Sequence, residues 1–510
     1  MALVPEDKER HVIPNWRGFS LTASQRELSA FTLENKRKID ISEYIYDWKH
    51  NRNISYAGDL IGAAIANNLP INEDIQDAAV FVLHNVGICS ELLQSAAKYV
   101  LGLNTELQSS SRYTNCRMVL DSIIQRPELY KNIAYLKNTI KIYPYNPIPY
   151  VEISRFYAIL GQNNQAEKYM RIALYLANNN NRYVIRSAVR LFTHINKQDE
   201  ALFILRHSEA LKYDPWLLSA DISLTTLLGK HQRYIKVGQI MVADQNYSRN
   251  SISELSSAIA TLEFANGALK NSRKLFDISL YDPTDNSLAQ AEWARSKSLD
   301  INADKNNIEK VSNNYEANTI ASVNQDKYND ALFYSTLWIK DMQYATSPIM
   351  YASHIAISLV QDLDISEQIL HIGLASNPSD PTLLNNLAYV YALSDKVEKA
   401  EQCIIRANSN KSIPESTKLC LSATQGLLEF RKGNPDLGRI LYSDVINQTK
   451  NANYPELNWS AIINYAREEI QINSEYASSA IDAVKQITER AVDKDITMMK
   501  QRLLKSLSKS

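Results

Sequence analysis

The sequence predicts an all-α protein built from stacked antiparallel helix pairs, and three observations lead to that prediction. Glycine and proline are scarce, with 13 Gly and 15 Pro in 510 residues, whereas typical usage is roughly 7% and 5%. Sheet-rich and nucleotide-binding folds need glycine for tight turns and close backbone approach. Apolar residues also recur at helical spacing, and this pattern itself repeats along the chain.

The composition indicates a folded protein of ordinary polarity. A chain of 510 residues exceeds one compact core, so several domains or an extended repeat array are expected. The formal net charge of −1 provides no basic field that would attract nucleic acid or a membrane surface. The chain contains no apolar run of roughly 18 residues and no apolar signal core near its N-terminus. We therefore expect a cytoplasmic protein without a membrane span.

The clearest helix pair covers residues 380–407, "DPTLLNNLAYVYALSDKVEKAEQCIIRA". A turn around Asp395 separates two runs of small and large apolar residues at helical spacing. The small residues Ala388 and Ala400 would let the two helices approach closely, and Tyr391 and Ile404 would fill the space beside them. The stretch therefore predicts a packing seam between two antiparallel helices.

This spacing resembles the tetratricopeptide repeat, a helix–turn–helix unit of about 34 residues with small residues at its eighth and twentieth positions. Ser366 lies one such length before Ala400, which places a neighbouring unit at 347–380 in the same register. Further copies occur at 148–180, about 35 residues later, and at 257–283 and 423–446. The resemblance implies a right-handed superhelical α-solenoid in which the first helix of each unit lines the concave surface.

The pattern along the chain predicts five regions. Residues 1–140 form a helical region that is only loosely repeat-like, and 141–298 form a first solenoid segment. The polar, Asn-rich stretch 299–319 is expected to be a linker or loop before a second segment at 320–488. Residues 489–510 are amphipathic and predict a capping helix, because a terminal repeat has no neighbour on one side. Binding of a membrane surface or a partner is the alternative for this last region.

The sequence does not favour catalysis. The GxSxG, GxxxxGK[ST], GxGxxG and HExxH motifs are all missing. The eight histidines are scattered, and the four cysteines, Cys89, Cys116, Cys403 and Cys420, are too far apart for a CxxC-type metal site. We expect no catalytic residue, metal site or cofactor, and cysteines that remain free thiols.

The resemblance also implies where a partner would bind. In this repeat family the second, fifth, ninth, twelfth and thirteenth positions of each unit face the groove. These positions, together with a helical arginine stripe, give the following candidate partner-binding residues: Arg155, Tyr183, Arg186, Arg190, His194, Tyr351, Asn385 and Tyr389.

The arginine stripe consists of Arg182, Arg186, Arg190 and His194, which follow one another at i, i+4 spacing. Like charges on one helix face oppose each other, so the stripe needs an anionic partner. Three accounts remain open. Acids of adjacent repeats such as Glu152 or Asp221 would pair with it, an anionic peptide would bind it, or a phosphate ligand such as nucleic acid would do so.

The leading functional hypothesis is a non-catalytic scaffold or adaptor that binds a partner protein or peptide, acidic ones included, in a concave helical groove. One alternative is a structural subunit of a larger assembly. Another is a regulator of an enzyme or a nucleic-acid-associated protein that uses the arginine-rich face, although the charge balance makes nucleic acid an improbable partner. The partner's identity and the oligomeric state are left open by the sequence.

Overall fold

The structure, a computed structural model, divides into two compact units within residues 25–116 and 117–510. It describes residues 41–66, 71–86, 89, 91–101, 116–123, 125–244, 247–301, 311, 313–410, 413–487 and 494–507. Over these residues the protein contains helices and turns and no β-strand. None of the described helices is both long enough and apolar enough to cross a membrane.

The unit within 25–116 is a small helical bundle. Its described helices are α1 (Ile41–His50), α2 (Ile54–Ala66), α3 (Glu73–His84) and α4 (Glu91–Val100). Trp48 lies at the centre of the core, packs edge-on against Phe81, and donates a 3.1 Å hydrogen bond from its indole Nε1 to Asp77. The buried indole nitrogen is thereby satisfied, as a buried Trp requires.

The unit within 117–510 is a long series of helices. In chain order they are α5 (Arg126–Ile142), α6 (Ile148–Ile159), α7 (Asn163–Leu176), α8 (Arg182–His194), α9 (Gln198–Arg206), α10 (Pro215–Leu227), α11 (Ile235–Ala243), α12 (Arg249–Ala265), α13 (Leu269–Ser279), α14 (Asp285–Ser296), α15 (Tyr315–Asn324), α16 (Tyr328–Asp341), α17 (Thr346–His354), α18 (Leu363–Ser376), α19 (Pro381–Leu393), α20 (Val397–Asn408), α21 (Glu415–Arg431), α22 (Pro435–Asn451), α23 (Pro455–Gln471), α24 (Ala477–Lys485) and α25 (Lys494–Leu507). A short 3₁₀ helix, Glu209–Lys212, precedes α10, and a π-helix, Ile355–Val360, follows α17.

Most of these helices form antiparallel pairs, α6 with α7, α8 with α9, α10 with α11, α12 with α13, and α17 to α24 likewise in order. We call the two members of each pair its first and second helix. Each first helix also packs against the first helix of a neighbouring pair. The predicted all-α solenoid of stacked antiparallel helix pairs is therefore confirmed.

Asp-Pro dipeptides mark the beginnings of two first helices. The carboxylate of Asp214 accepts hydrogen bonds from the backbone N–H groups of Trp216 and Leu217, and Asp380 caps α19 in the same way. The proline that follows each aspartate occupies the first helical position, where a missing N–H costs nothing. These local signals are why the helix starts can be read directly from the sequence.

Serines are the small residues at several seams between paired helices. Ser154 of α6 donates a 2.6 Å hydrogen bond to the carbonyl oxygen of Ala166 on α7, and Ser272 of α13 donates one of 2.9 Å to that of Ala260 on α12. Both serines are fully buried. A serine permits the close approach that alanine would permit, and its hydroxyl is satisfied by the facing helix.

The solenoid returns on itself. Ser376, at the end of α18, donates a 2.8 Å hydrogen bond to the carbonyl oxygen of Ile159, which lies 217 residues earlier at the end of α6. Gln368 and Lys340 likewise donate to Asp121 and Ser122. The 217 residues between Ile159 and Ser376 correspond to about six repeat lengths. The end of α6 is consequently covered by a distant part of the same chain.

The five regions expected from the sequence stay a prediction, and two observations concern their boundaries. The compact units divide near residue 116, because α5 spans the predicted boundary at 140 and packs against α6. Within the predicted linker, Leu299 and Ile301 are buried in one apolar cluster with Ala317 and Ile320. Packing is therefore continuous from α14 to α15, although residues 302–310 and 312 lie outside the described part of the chain.

The close contact between α21 and α22 provides a test of the packing. A Cβ on Gly438 would lie 2.5 Å from Phe430 Cδ2 and 3.0 Å from the Gly426 carbonyl oxygen. Phe430 is held by the rings of Tyr442 and Tyr465 and has little room to move. We predict that Gly438→Ala lowers the free energy of unfolding by about 1–3 kcal/mol, measured by urea denaturation.

The matched control is Gly62→Ala in α2, where the added Cβ meets no atom within 4 Å. This substitution should be neutral or stabilise by up to about 1 kcal/mol, because alanine favours a helix more than glycine does. Equal effects at the two positions would contradict the proposed overpacking.

Candidate functional site

The first helices are buried on nearly all sides. Residues 183–193 of α8, 215–225 of α10, 252–261 of α12 and 383–392 of α19 are buried without a break. These helices carry many polar residues, so the burial places arginine, glutamate, asparagine, serine and threonine inside the solenoid. Buried polar groups must find partners within the chain or lose free energy. The residues predicted to bind a partner all lie on such helices.

Arg186 forms a buried ion pair with Glu254. Its guanidinium Nη2 donates to Glu254 Oε2 at 2.9 Å, and the two side chains are 3% and 2% exposed. The guanidinium also lies over the ring of Trp216, 4.5 Å from the ring centroid. Glu254 accepts a second hydrogen bond from Asn286 Nδ2 at 2.9 Å. This cluster connects α8, α10, α12 and α14.

Glu152 on α6 is the centre of a second cluster. Arg155 donates to Glu152 Oε2 from its Nε and Nη2 atoms at 3.2 and 3.1 Å. The hydroxyl of Tyr183 donates to Glu152 Oε1 at 2.9 Å. Burial, followed by the charge of Glu152, raises the pKa of Tyr183 well above its ordinary value. Tyr183 therefore remains a neutral hydrogen-bond donor.

Arg190 and His194 meet a residue from the returning part of the chain. Arg190 Nε donates to the hydroxyl of Tyr344 at 3.2 Å, and the His194 ring contacts the Tyr344 ring edge-on at 5.2 Å. Burial, with a smaller contribution from the charge of Arg190, lowers the pKa of His194 to about 4. His194 is therefore neutral at physiological pH.

The candidate residues on later helices are also buried. Tyr351 of α17 packs against the ring of Trp338 at 5.6 Å. Asn385 accepts a 2.9 Å hydrogen bond from Thr424 on α21. Tyr389 donates a 2.7 Å hydrogen bond to Asn464 on α23. These contacts join α19, α21 and α23 through their polar side chains.

The chain itself supplies anionic partners for members of the arginine stripe, with Asp214 for Arg182 and Glu254 for Arg186. Arg155, which lies outside the stripe, pairs with Glu152. The suggestion of Asp221 as a partner of the stripe is wrong in detail, since Asp221 pairs with Arg206 at 2.9 Å. Burial raises the pKa of Asp221, and Arg206 acts against that shift. A partner-binding role for the eight candidate residues stays a prediction.

Several residues of these clusters were not anticipated from the sequence, namely Glu254, Asn286, Tyr344 and Asn464. For Glu254 a signal exists, because it lies 68 residues after Arg186, which is twice the repeat length. Tyr344 gives no such signal, since its meeting with Arg190 spans 154 residues and depends on how tightly the solenoid winds.

Exposed tyrosines mark one edge of the solenoid. Tyr145, Tyr175, Tyr213 and Tyr281 are between 68% and 84% exposed. Tyr175 lies at the end of the second helix α7, and the other three lie in the turns that precede α6, α10 and α14. In a stack of antiparallel pairs, these turns fall on the same edge. We call these four residues the tyrosine row.

A pocket of about 600 Å³ lies between α21 and α22. Its lining residues are Ile413, Glu415, Lys418, Leu419, Ser422, Val445 and Gln448. The single acid and single lysine among them do not form a catalytic constellation. Over the described part of the chain, no group of three or more His, Cys, Asp or Glu side chains is arranged to hold a metal ion. All four cysteines are free thiols, and burial raises the pKa of Cys420 to about 12.

Comparisons with known proteins concern the fold alone. No protein-family model matches the sequence, and no curated protein matches it. Among solved structures, yeast Tom70 is similar over 79% of this chain and 96% of its own, with 12% identity and a TM-score of 0.32. The APC/C hetero-tetramer Cut9–Hcn1 is similar over 96% and 95%, with 12% identity and a TM-score of 0.42. The assignment of this chain to the class of α-solenoids rests on its own helix pairs.

The buried ion pair yields a stability prediction. Replacing Arg186 by methionine would leave the Glu254 carboxylate buried without its cation, and we expect a loss of about 3–5 kcal/mol in unfolding free energy. The double variant Arg186→Met/Glu254→Gln removes both charges and should recover most of that loss. The measurement is urea denaturation monitored by circular dichroism.

Arg182→Met is the matched control, because Arg182 belongs to the same helix and pairs with Asp214 but its side chain is 42% exposed. That variant should lose no more than about 1 kcal/mol. If both single variants lose the same amount, the ion pair of Arg186 contributes no more than a surface pair.

His194 predicts a pH dependence. Because its pKa falls from 6.5 to about 4 on folding, the folded state binds the proton less well than the unfolded state. The stabilisation is fully present above pH 6.5 and is lost as the pH falls towards 4. At pH 5 the loss is about 2 kcal/mol relative to pH 7. His194→Phe should remove this share of the acid sensitivity.

The experiment compares urea midpoints at pH 7 and pH 5 for the unsubstituted protein, His194→Phe and His207→Phe. His207 is an exposed histidine next to Phe203 and serves as the control. An acid-induced loss of stability that is the same in all three proteins would show that His194 is not its source.

Proposed function

We propose that this protein is a non-catalytic scaffold that binds a protein partner through the edge of the solenoid bearing the tyrosine row. The supporting observation is the exposure of Tyr145, Tyr175, Tyr213 and Tyr281 at equivalent places in the stack. Tyrosine is enriched at protein interfaces because a large amphipathic ring contributes contact area at low entropy cost. An aligned series of such rings suits an extended protein surface better than a small ligand.

The spacing of the row follows from the repeat. Tyr213 and Tyr281 precede the beginnings of α10 and α14. Tyr247, in the equivalent turn before α12, approaches the carbonyl oxygen of Tyr213 through its hydroxyl at 3.5 Å. Consecutive pairs therefore present aromatic rings at regular intervals along one edge. Repeat arrays use such periodic, extended surfaces because each unit contacts only its neighbours.

This proposal does not use the concave groove, which the sequence predicts as the binding surface. Arg186, Arg190, Asn385 and Tyr389 are buried and already contact residues of the chain. A partner would reach them only if the solenoid opened, at the cost of these contacts. We therefore assign recognition to the exposed edge, and we assign the predicted groove residues to holding the solenoid in shape. The same edge would serve if the protein is a structural subunit of an assembly.

The test uses two double variants of equal size. Tyr213→Ser/Tyr281→Ser removes two members of the tyrosine row. Ile405→Ser/Ile440→Ser removes two apolar side chains of similar exposure from the outer faces of α20 and α22. Both variants should keep the helical circular dichroism spectrum. Partners are captured from native-host lysate and quantified by mass spectrometry.

We expect the tyrosine variant to lose the specifically captured protein by about ten-fold or more, since a tyrosine that acts as an interface hot spot contributes about 2 kcal/mol or more, roughly 30-fold. The isoleucine variant should retain it. A photo-crosslinking residue at position 213 should label the same protein, and one at position 405 should not. Retention by the tyrosine variant, or equal loss in both variants, would contradict the proposal.

A further inference from the structure

The C-terminal helix α25 lies against two separate parts of the solenoid. On one side, its buried Ile496 and partly buried Met499, Leu503 and Leu504 belong to one apolar cluster with residues of α23 and α24. On its other side, α25 contacts the end of α17 and the π-helix that follows it. The first helices α17 and α23 are separated in the stack by the pairs that contain α19 and α21. Helix α25 therefore spans the side of the stack that these first helices line.

The polar contacts at the π-helix are specific. Asp495 Oδ2, in the first turn of α25, lies within hydrogen-bond distance of His354 Nε2 at 2.5 Å. Arg502 donates from Nη1 to the carbonyl oxygen of Ser358, and from Nη2 to that of Leu359 at 2.6 Å. The two contacts are made across 141 and 144 residues of sequence. They are not the contacts of a helix that merely covers the last pair of a solenoid.

The carbonyl groups that Arg502 contacts are available for a chemical reason. The π-helix ends at Val360, and Gln361 adopts a left-handed backbone conformation with φ 65°. The last carbonyl groups of a helix have no partner within it, and the negative end of the helix dipole lies there. A guanidinium matches both features, because it carries a positive charge and several donors in one plane.

Helix α25 buries fewer of its side chains than the first helices do. In α19 every residue from 383 to 392 is buried, whereas Ile496 and Lys500 are the buried residues among the described side chains of α25. Its attachment therefore depends on a narrow apolar stripe and on the polar contacts of Asp495, Lys500 and Arg502. Elements that bury few apolar residues are the ones that open at low cost.

We propose that the surface under α25, formed by residues 354–359 and 459–466, is a docking surface for an amphipathic helix of a partner protein, and that α25 occupies it within the chain. The partner helix carries an acidic residue in its first turn, apolar residues one, four and eight positions later, and an arginine seven positions later. That pattern reproduces Asp495, Ile496, Met499, Leu503 and Arg502. Such a helix competes with α25 for His354, the π-helix carbonyls and the apolar side chains.

The proposal is independent of the tyrosine row, which is not part of this surface. In this proposal α25 competes with the partner helix within the same chain. A partner helix binds only the molecules in which α25 is undocked, so its apparent affinity falls as the docked fraction rises. Substitutions that loosen α25 without changing the surface beneath it should raise that affinity.

The test uses the full chain and a fluorescein-labelled peptide with the sequence of residues 494–507, whose binding is followed by fluorescence anisotropy. Arg502→Met in the protein removes the donors that reach the π-helix, while the peptide retains its own arginine. Gln501→Glu is the matched control, because it lies next to Arg502, is exposed, and changes the net charge by the same amount. Asp495→Asn provides a second way to loosen α25.

We expect Arg502→Met and Asp495→Asn to bind the peptide about ten-fold or more tightly than the unsubstituted protein. Gln501→Glu should bind it like the unsubstituted protein. A peptide with methionine in place of its own arginine should not bind. Hydrogen exchange should show faster exchange of the α25 amides in the two loosened variants and unchanged exchange in α19.

Two results would overturn the proposal. One is faster exchange of α25 in Arg502→Met with no gain in peptide binding over Gln501→Glu. The other is a concentration-dependent dimer of Arg502→Met, seen by light scattering, that does not bind the peptide, because the occupant would then be the α25 helix of a second copy.

Discussion

The ion pair between Arg186 and Glu254 illustrates the constraint on which the solenoid depends. Two first helices that are not neighbours in sequence, α8 and α12, come close enough for a 2.9 Å contact, and α10 supplies the ring of Trp216 against the guanidinium. Such closeness excludes water from the side chains between them, so each charge and each amide must be satisfied by another residue. In the second half of the solenoid, Tyr389 reaches Asn464 across α21, and Glu468 of α23 pairs with Arg431 of α21 at 3.2 Å. The winding of the solenoid therefore determines which internal polar groups pair with one another.

This constraint separates the roles of the inner and outer residues. Inside, an arginine or asparagine already has its partner, and a ligand would have to replace contacts that stabilise the fold. Outside, the turns between helix pairs are free of that requirement, and they carry tyrosines that the packing of the core does not explain. Tyr213 and Tyr281 are exposed, whereas Tyr344, in a comparable turn, is buried against Arg190 and His194 of α8. The same residue type is therefore structural or available for recognition according to where the solenoid closes.

Much of the architecture could be predicted from local features of the sequence, but the contacts between distant parts of the solenoid could not. The seam in 380–407, the Asp-Pro starts at 214 and 380, and the small residues at repeat spacing are readable because each acts within one or two repeats. The arginine stripe on α8 was recognised as a feature that needs anions, yet its burial was not, because an arginine every fourth residue ordinarily indicates an exposed helix face. Whether Arg190 meets solvent or Tyr344 depends on the pitch accumulated over 154 residues. Small tilts at every seam determine that pitch, and no single residue encodes it.

The contact between distant parts of the solenoid nevertheless depends on a few positions, and Gly161 is the clearest of them. It ends the turn after α6 with φ +71°, a conformation that strains residues with a side chain. A Cβ there would lie 3.0 Å from the carbonyl oxygen of Ser376 and 3.2 Å from Pro378. Next to it, the Ile159 carbonyl oxygen accepts the hydrogen bond from Ser376. One glycine therefore permits both the turn within its own repeat and the approach of the returning chain. In this repeat, the glycine that favours a short turn is also required for the contact between distant parts of the solenoid.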